Sequence, residues 1–315
     1  MSRLRRAPPC IGSRTKNVDI AEPHRAGFVA LGGRTNVGKS TLLNRMVGHK
    51  VAIVTPRPQT TRGRILGIRS DPDAQFIFID TPGLHRPRSA LDQRMIEIAR
   101  RCLSEGEVVV GLVEASAPLG EGDRAFLAEL RELKAPCVVA VNKIDRVKRA
   151  DLFAAVEQCG RELPQAEIVP VSALKGENVK ELVAVIKRML PAGPALMPED
   201  EYTDQTERMI AAEVVREKVF LAMREEIPFS TAVVVENFVE EPDRRLLRIE
   251  AVIVVAREAH KGMLIGAGGR QLKQIGTAAR LELEKLLGAH VFLQLLVKVD
   301  KDWTRSPRKI AELGL

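Results

Sequence analysis

Along the first 190 residues, short runs of continuous apolar residues alternate with stretches in which apolar residues return every three or four positions. The runs fall at 27–32, 75–79, 107–113, 136–141 and 167–171, and each is short enough to be a strand buried on both faces. The stretches at 41–47, 124–134, 152–163 and 179–190 carry helical spacing. Strands apolar on both sides, alternating with helices, predict an α/β unit: a mainly parallel sheet with helices on both faces.

The alternation stops at Pro191-Ala192-Gly193-Pro194-Ala195-Leu196-Met197-Pro198. Prolines cannot extend either pattern, so 191–200 is expected to be a linker between a domain at 26–190 and a second at 201–315. The second has another order: a helix at 205–226, strands at 232–239 and 246–257, a glycine-rich turn, a helix at 270–287 and a strand at 290–299. With a short helix before the glycines this is α-β-β-α-α-β, a smaller α+β domain. Residues 1–25 have no periodicity. Arg3, Arg5, Arg6, Arg14 and Lys16 make them a basic tail, expected to be disordered and not a targeting peptide.

Composition narrows the class. The chain has 315 residues, 45% hydrophobic and 29% charged, a globular balance. No apolar run approaches the roughly eighteen residues of a membrane span. Cys10, Cys102, Cys137 and Cys159 are scattered, which favours reduced thiols over disulfides or zinc. The net charge of +8 favours an anionic partner, yet from Glu201 onward 18 Lys+Arg face 18 Asp+Glu. The excess therefore lies upstream, and charge alone does not assign nucleic-acid binding to the C-terminal domain.

The chemistry is concentrated at strand ends. Gly33-Arg34-Thr35-Asn36-Val37-Gly38-Lys39-Ser40 fits G-x-x-x-x-G-K-[ST] between a strand and the helical stretch opened by Thr41. Such glycines let successive N–H groups face phosphate oxygens, while Lys39 reaches the β- and γ-phosphates and Ser40 offers a hydroxyl to Mg²⁺. Asp80-Thr81-Pro82-Gly83 follows the second run: Asp80 can hold Mg²⁺ through water, and Gly83 can bring its N–H to the γ-phosphate. Asn142-Lys143-Ile144-Asp145 ends the fourth. Guanine presents two adjacent donors, N1–H and the 2-amino group, and the Asp145 carboxylate accepts both; adenine would leave it unpaired. Ser172-Ala173-Leu174 can offer a backbone N–H to guanine O6. The expected ligands are GTP or GDP with Mg²⁺.

Between these motifs, Gln59-Thr60-Thr61-Arg62 lies where a switch loop belongs. Thr61, with Thr60 close behind, is the candidate to complete the Mg²⁺ shell when the γ-phosphate is present. Lys50, Arg57, Arg62, Arg64 and Arg69 surround this loop with no acid between them, as a solvated charged loop or a partner-facing surface. Many GTPases place a water-orienting glutamine after the Asp-x-x-Gly motif. Leu84 stands there and cannot do this; His85, between prolines, reads as structural. Intrinsic hydrolysis is expected to be slow and helped by a cation or a partner.

Ile265-Gly266-Ala267-Gly268-Gly269-Arg270 is a G-x-x-G loop opening a helix, the arrangement of a KH domain. Small residues let single-stranded nucleic acid approach the backbone, and the N–H groups of the next helix face phosphate. Lys261, Gly266, Ala267, Gly268, Gly269, Arg270 and Lys273 are the candidate RNA contacts, with Arg257 and Arg280 adding charge. Leu272, Ile275, Ala279, Leu283 and Leu286 share one helix face and belong to the core.

The phosphate-loop stretch through Asn44, Pro58-Gln59-Thr60-Thr61-Arg62, Asp80-Thr81-Pro82-Gly83-Leu84-His85, the 261–276 stretch and the ending with Trp303 together resemble the Era GTPases, from about residue 25 onward. The resemblance implies a P-loop NTPase fold followed by a type II KH domain. It implies a bacterial GTPase that binds small-subunit (16S) rRNA near its 3′ end and acts in 30S assembly, with peripheral contact at the inner membrane; a cytoplasmic monomer is expected. It also implies Asn36 as a residue that helps hold K⁺. Two positions depart from the family pattern: Ala267 stands where lysine is usual, and Thr35 where proline is. The alternatives are a membrane-associated or cell-cycle switch whose KH domain docks proteins, and a constitutive RNA binder whose GTPase has lapsed.

Overall fold

A computed structural model describes residues 23–115, 118–241 and 245–315. The expected basic tail falls almost wholly outside the described residues. The first sheet has six strands, β1 (Arg25–Gly33), β2 (Ile65–Asp71), β3 (Ala74–Asp80), β4 (Val108–Glu114), β5 (Cys137–Asn142) and β6 (Glu167–Val171), in the order β2-β3-β1-β4-β5-β6. All neighbours are parallel except β2, which runs antiparallel to β3 on the edge. Every residue of β3 and β5 is buried, as their continuous apolar runs require. Helices α1 (Lys39–Val47) and α5 (Val179–Met189) cover one face, packing Leu42, Leu43 and Ile186 against Leu31, Phe76 and Val110. On the other face α3 (Glu121–Arg131) and α4 (Arg149–Glu162) place Phe126, Leu127 and Cys159 against Val109, Val139 and Val141.

Two elements of this domain were not expected from the sequence. β2 is one, and α2 (Ala90–Glu105) is the other; Ser89 caps α2, its side chain accepting the Asp92 N–H at 3.1 Å. Cys102, Cys137 and Cys159 are buried free thiols. Burial pushes the last two up to about 11, so they are inert at neutral pH. The proline-rich connection is tied to the first domain. Buried Gln75 accepts the Leu196 and Met197 N–H groups at 2.7 and 2.9 Å and donates to the Met197 carbonyl at 2.8 Å.

The second domain is α6 (Glu207–Ala222), β7 (Thr231–Glu241), β8 (Leu246–Val255), α7 (Glu258–Ile265), α8 (Arg270–Leu287) and β9 (His290–Val299). The short helix before the glycines is present as α7. β8 lies at the centre, antiparallel to β7 and parallel to β9. Helices α6 and α8 bury Val215, Val219, Ile275, Ala279 and Leu283 against Ile249 and Ile253, with Leu272 and Leu286 partly buried beside them. The chain then turns back to a helix not expected from sequence, α9 (Pro307–Glu312). Here Trp303 and Ile310 form a cluster with Ala232, Val252 and Val254 of the second sheet and with Leu91 and Met95 of α2. Trp303 is fully buried and donates through Nε1 to the Ser230 carbonyl at 3.1 Å.

Candidate functional site

The phosphate loop joins β1 to α1 at the carboxyl end of the parallel strands, where open α/β sheets form ligand crevices. Gly33 (φ 149°) and Gly38 (φ 103°) adopt backbone that L side chains avoid. A Cβ on Gly38 would also stand 2.4 Å from Asn142 Nδ2. Gly38 heads α1 without a side-chain cap, so the helix's first N–H groups and positive dipole end address the cavity. That cavity is about 350 Å³ and is lined by Asn36, Gly38, Lys39, Ser40, Thr41, Thr61, Gly83, Asn142, Lys143, Asp145, Ala173 and Leu174. Gly33, Val37, Asp80 and Ser172 support it from behind.

Lys39 is buried and donates from Nζ to the Gly33 and Arg34 carbonyls at 3.1 and 2.9 Å. Burial lowers its pKa to about 8, against the opposing pull of Asp80. Beside it three oxygens converge. Ser40 Oγ donates to Asp80 Oδ2 at 2.6 Å, Thr61 Oγ1 reaches the same oxygen at 3.1 Å, and the two hydroxyls are 2.9 Å apart. Asp80 is fully buried, and its Oδ1 has no hydrogen-bond partner. Burial raises its pKa, although Lys39 and the two hydroxyls act in the other direction. Two hydroxyls and one carboxylate with an orphaned oxygen suit Mg²⁺, which takes few protein oxygens and keeps water and phosphate as its other ligands. Thr60 also lines the cavity, but its hydroxyl is engaged elsewhere, 2.7 Å from Thr55 Oγ1 and donating to the Arg57 carbonyl at 2.9 Å.

At the other end of the cavity, Asp145 accepts the Ser172 hydroxyl at 2.6 Å, and this bond holds its carboxyl below the usual range. It is therefore an ionised acceptor at neutral pH. Asn142 takes a supporting part. Its Nδ2 donates to the Val37 carbonyl at 2.7 Å and its Oδ1 accepts the Ala173 N–H at 2.9 Å. That N–H is thus engaged within the protein, and exposed Leu174 is the residue of its trio that borders the cavity with a free side chain. Lys143, in left-handed backbone (φ 68°), pairs with Glu114 at 2.7 Å while its stem lines the cavity. Gly83 lies against the phosphate loop: a Cβ there would stand 2.6 Å from Thr35 Cα.

His85 is held on both sides. Nδ1 lies 2.9 Å from the Gly83 carbonyl and Nε2 3.2 Å from Asp92, which fits a structural part. Leu84 packs into the apolar cluster under α3 and α4. The basic residues of the switch loop divide: Arg64 is exposed and Arg57 half-buried, as a solvated or partner-facing loop would have them, whereas Arg62, Lys50 and Arg69 are engaged within the chain. Arg62 is 3% exposed, Lys50 pairs with Glu217 and Glu282, and Arg69 pairs with Asp71. Their partners in the first two cases come from the chain's own second domain. Glu217 also accepts the Val54 N–H at 3.0 Å. Glu217 and Arg216 carry no mark in the sequence, because nothing local signals contacts made across 167 and 156 residues. Asn44 carries no mark of its role beyond the phosphate-loop motif, yet its side chain fixes the start of the switch loop by bonding the Val51 and Ala52 N–H groups and the Ala52 carbonyl.

The G-x-x-G loop is a separate surface. Gly266 (φ 72°), Gly268 (φ 60°) and Gly269 (φ 76°) all have positive φ. Nothing lies within 4 Å of where a Cβ would stand on Gly268 or Gly269, so the backbone there is open to a ligand. Gly269 begins α8 with no side-chain cap. Ala267, Arg270 and Lys273 are exposed around it, and Lys261 is partly so. Arg280 is tied to Glu284 at 2.8 Å and is not among the free cations of this surface.

A profile described as 50S ribosome-binding GTPase matches residues 28–143, and one for the KH domain matches 226–304. The chain is 46% identical over 292 residues to the GTPase Era of Geobacter metallireducens, covering 93% of this chain and 98% of that one. It is 42% identical to the GTPase Era of Staphylococcus haemolyticus over 291 residues, covering 92% and 97%. A crystal structure of Era in complex with MgGDPNP and nucleotides 1506–1542 of 16S ribosomal RNA superposes with a TM-score of 0.89 at 41% identity, covering 92% of this chain and 99% of that one. An Aquifex aeolicus Era variant bound to GDP and AlF4⁻ gives 0.88 at the same identity and coverage.

Proposed function

The chain belongs to the Era GTPase family, and on that premise we propose that it is a GTP-controlled switch that grips small-subunit rRNA near its 3′ end during 30S assembly. It binds and hydrolyses GTP. The observation that carries the proposal is the convergence of Ser40, Thr61 and Asp80 beside Lys39, at the opposite end of one cavity from Asp145.

Asp145 selects guanine by accepting two N–H bonds. Lys39 and the first N–H groups of α1 balance phosphate charge, most of all the charge that develops during transfer. Mg²⁺ bound at Ser40, Thr61 and Asp80 would neutralise the β- and γ-oxygens. Gly83, pressed against Thr35, brings its backbone to the γ-phosphate side. Leu84 supplies no polar atom to orient water, so unaided turnover is slow. Asn36 spends Nδ2 on the Pro56 carbonyl at 2.8 Å, which leaves its amide oxygen to help hold K⁺. The open backbone of 266–269, with Lys261, Arg270 and Lys273, takes the RNA. The protein works as a cytoplasmic monomer on this proposal.

Crosslinking and sequencing of bound RNA from GTP- and GDP-loaded protein tests it. Enrichment of the 3′ end of 16S rRNA is expected in one state over the other, and none in either state would overturn it. Flotation with anionic vesicles that survives RNase would instead favour the membrane-associated alternative.

A further inference from the structure

Thr61 sits in a loop, and loops are ordered only where something holds them. Its two chain neighbours are held by the second domain. On one side, Arg216 of α6 donates from a terminal guanidinium nitrogen to the Thr60 carbonyl. Arg216 is itself 2% exposed, fixed by Glu213 at 2.6 and 2.8 Å and lying over the Phe220 ring. On the other side, the Arg62 side chain leaves the first domain altogether. Its guanidinium donates to the carbonyls of Thr231 (2.6 Å), Pro228 (3.0 Å) and Phe229 (2.8 Å), between the rings of Phe220 and Trp303. A planar fork of N–H donors is the side chain best able to serve several carbonyls at once. Between these two anchors, Thr61 presents its hydroxyl to Asp80 and Ser40.

Taking the cavity as a GTPase centre, we propose that Arg62 and Arg216 are positioning residues for hydrolysis, through which the second domain holds Thr61 in the metal shell. The first domain alone supplies Ser40 and Asp80 on a strand end and a helix. Its own contacts to the loop are made by side chains, those of Gln59 with Asp92, Thr60 with Thr55 and Thr61 with Ser40 and Asp80. The Thr60 carbonyl and the Arg62 side chain, on either side of Thr61, are held from the other domain. Hydrolysis is therefore coupled to how the two domains sit: a rearrangement that withdraws the 228–231 turn or α6 withdraws Thr61.

The test compares the full-length wild type with Thr61→Ala, Arg62→Ala and the double variant. It measures single-turnover hydrolysis at saturating GTP across a Mg²⁺ titration, and nucleotide affinity by fluorescent GDP. Groups that orient a metal ligand are typically worth about 10- to 100-fold, so Arg62→Ala is expected to slow hydrolysis by that factor and raise the Mg²⁺ midpoint. GDP affinity should stay within about threefold, and the double variant should be no slower than Thr61→Ala, because residues acting through one another are not additive. Arg62→Ala with the wild-type rate and midpoint overturns the proposal, as does a double variant that loses the product of the two single effects. Should Arg62→Ala fail to fold, Arg216→Lys keeps the Glu213 pair but falls short of Thr60; it must show the same Mg²⁺ shift, and a wild-type midpoint overturns the proposal. Wild-type protein that does not hydrolyse GTP would instead bring down the GTPase reading itself.

Discussion

Asn142, the last residue of β5, donates to the Val37 carbonyl in a phosphate loop 105 residues earlier, at 2.7 Å. With its other amide atom it holds the Ala173 N–H, so one buried side chain ties the 33–40 loop to the loops at 142–145 and 172–174.

Asn142→Ala would leave a buried acceptor and a buried donor unmade. Each costs on the order of 1–3 kcal/mol of stability, and with the Val37 and Ala173 loops no longer joined GDP affinity should fall as well. Fluorescent-nucleotide titration reads this directly, and unchanged affinity would remove Asn142 from the site.

Lys39 gives a pH dependence. In the free protein burial holds its pKa near 8, and bound phosphates raise it, so the complex carries more protons above that pH. Nucleotide affinity should be flat below about pH 8 and fall by up to about tenfold per unit above it. Stability runs the other way. The unfolded lysine titrates near 10.5 and binds more protons than the folded one between 8 and 10.5, so the unliganded protein should gain stability from this group across that window. Calorimetry of binding in buffers of different ionisation heat would show proton uptake; its absence at pH 9 would refute the assignment.

Asp145→Asn replaces an acceptor pair by one acceptor and one donor. Guanine should then bind at least about 100-fold more weakly, since a polar mismatch in such a site separates ligands by several orders of magnitude. Xanthine carries an acceptor in place of the 2-amino donor, so competition by XDP against GDP should reverse in its favour.

Ala267→Lys adds a cation to an exposed loop beside Gly268 and Gly269, whose missing Cβ positions are open. One extra phosphate contact should steepen the salt dependence of binding to a 16S 3′-end oligonucleotide by about one unit. Gly266→Ala should do the reverse. It strains a φ of 72° and drives a Cβ to 2.8 Å from that of Gln271, so RNA affinity drops while GTP hydrolysis is kept. Filter binding at several salt concentrations distinguishes the two.

The parts legible in the sequence are those set by local periodicity or by a short motif. The buried strands of the first sheet, the phosphate loop and α8 fall where their residues predict them, because continuous burial and glycine-rich turns leave a local mark. β2 does not: it is an edge strand, and Gly67, Arg69 and Ser70 interrupt its apolar run. Leu91, Met95, Ala99 and Cys102 do carry helical spacing in α2, but the prolines and basic residues before Ser89 hide its start. The trio Ser172-Ala173-Leu174 was legible as a group; that its Ala173 N–H is taken within the protein was not, since that depends on where Asn142 points. The contacts of Arg62, Lys50 and Glu217 left no trace at all, because they join positions brought together only when two domains dock.

The cluster of Leu91 and Met95 with Trp303 and Ile310 has a consequence for how the molecule can be taken apart. A shared apolar core means that neither half is an interchangeable module. A chimera carrying a foreign nucleic-acid-binding domain after residue 200 would inherit an unmatched greasy face on α2 and an arginine with no carbonyls to receive it. Transplants that respect only the linker should be insoluble or inactive, whereas those that carry the 228–231 turn and Trp303 along should survive.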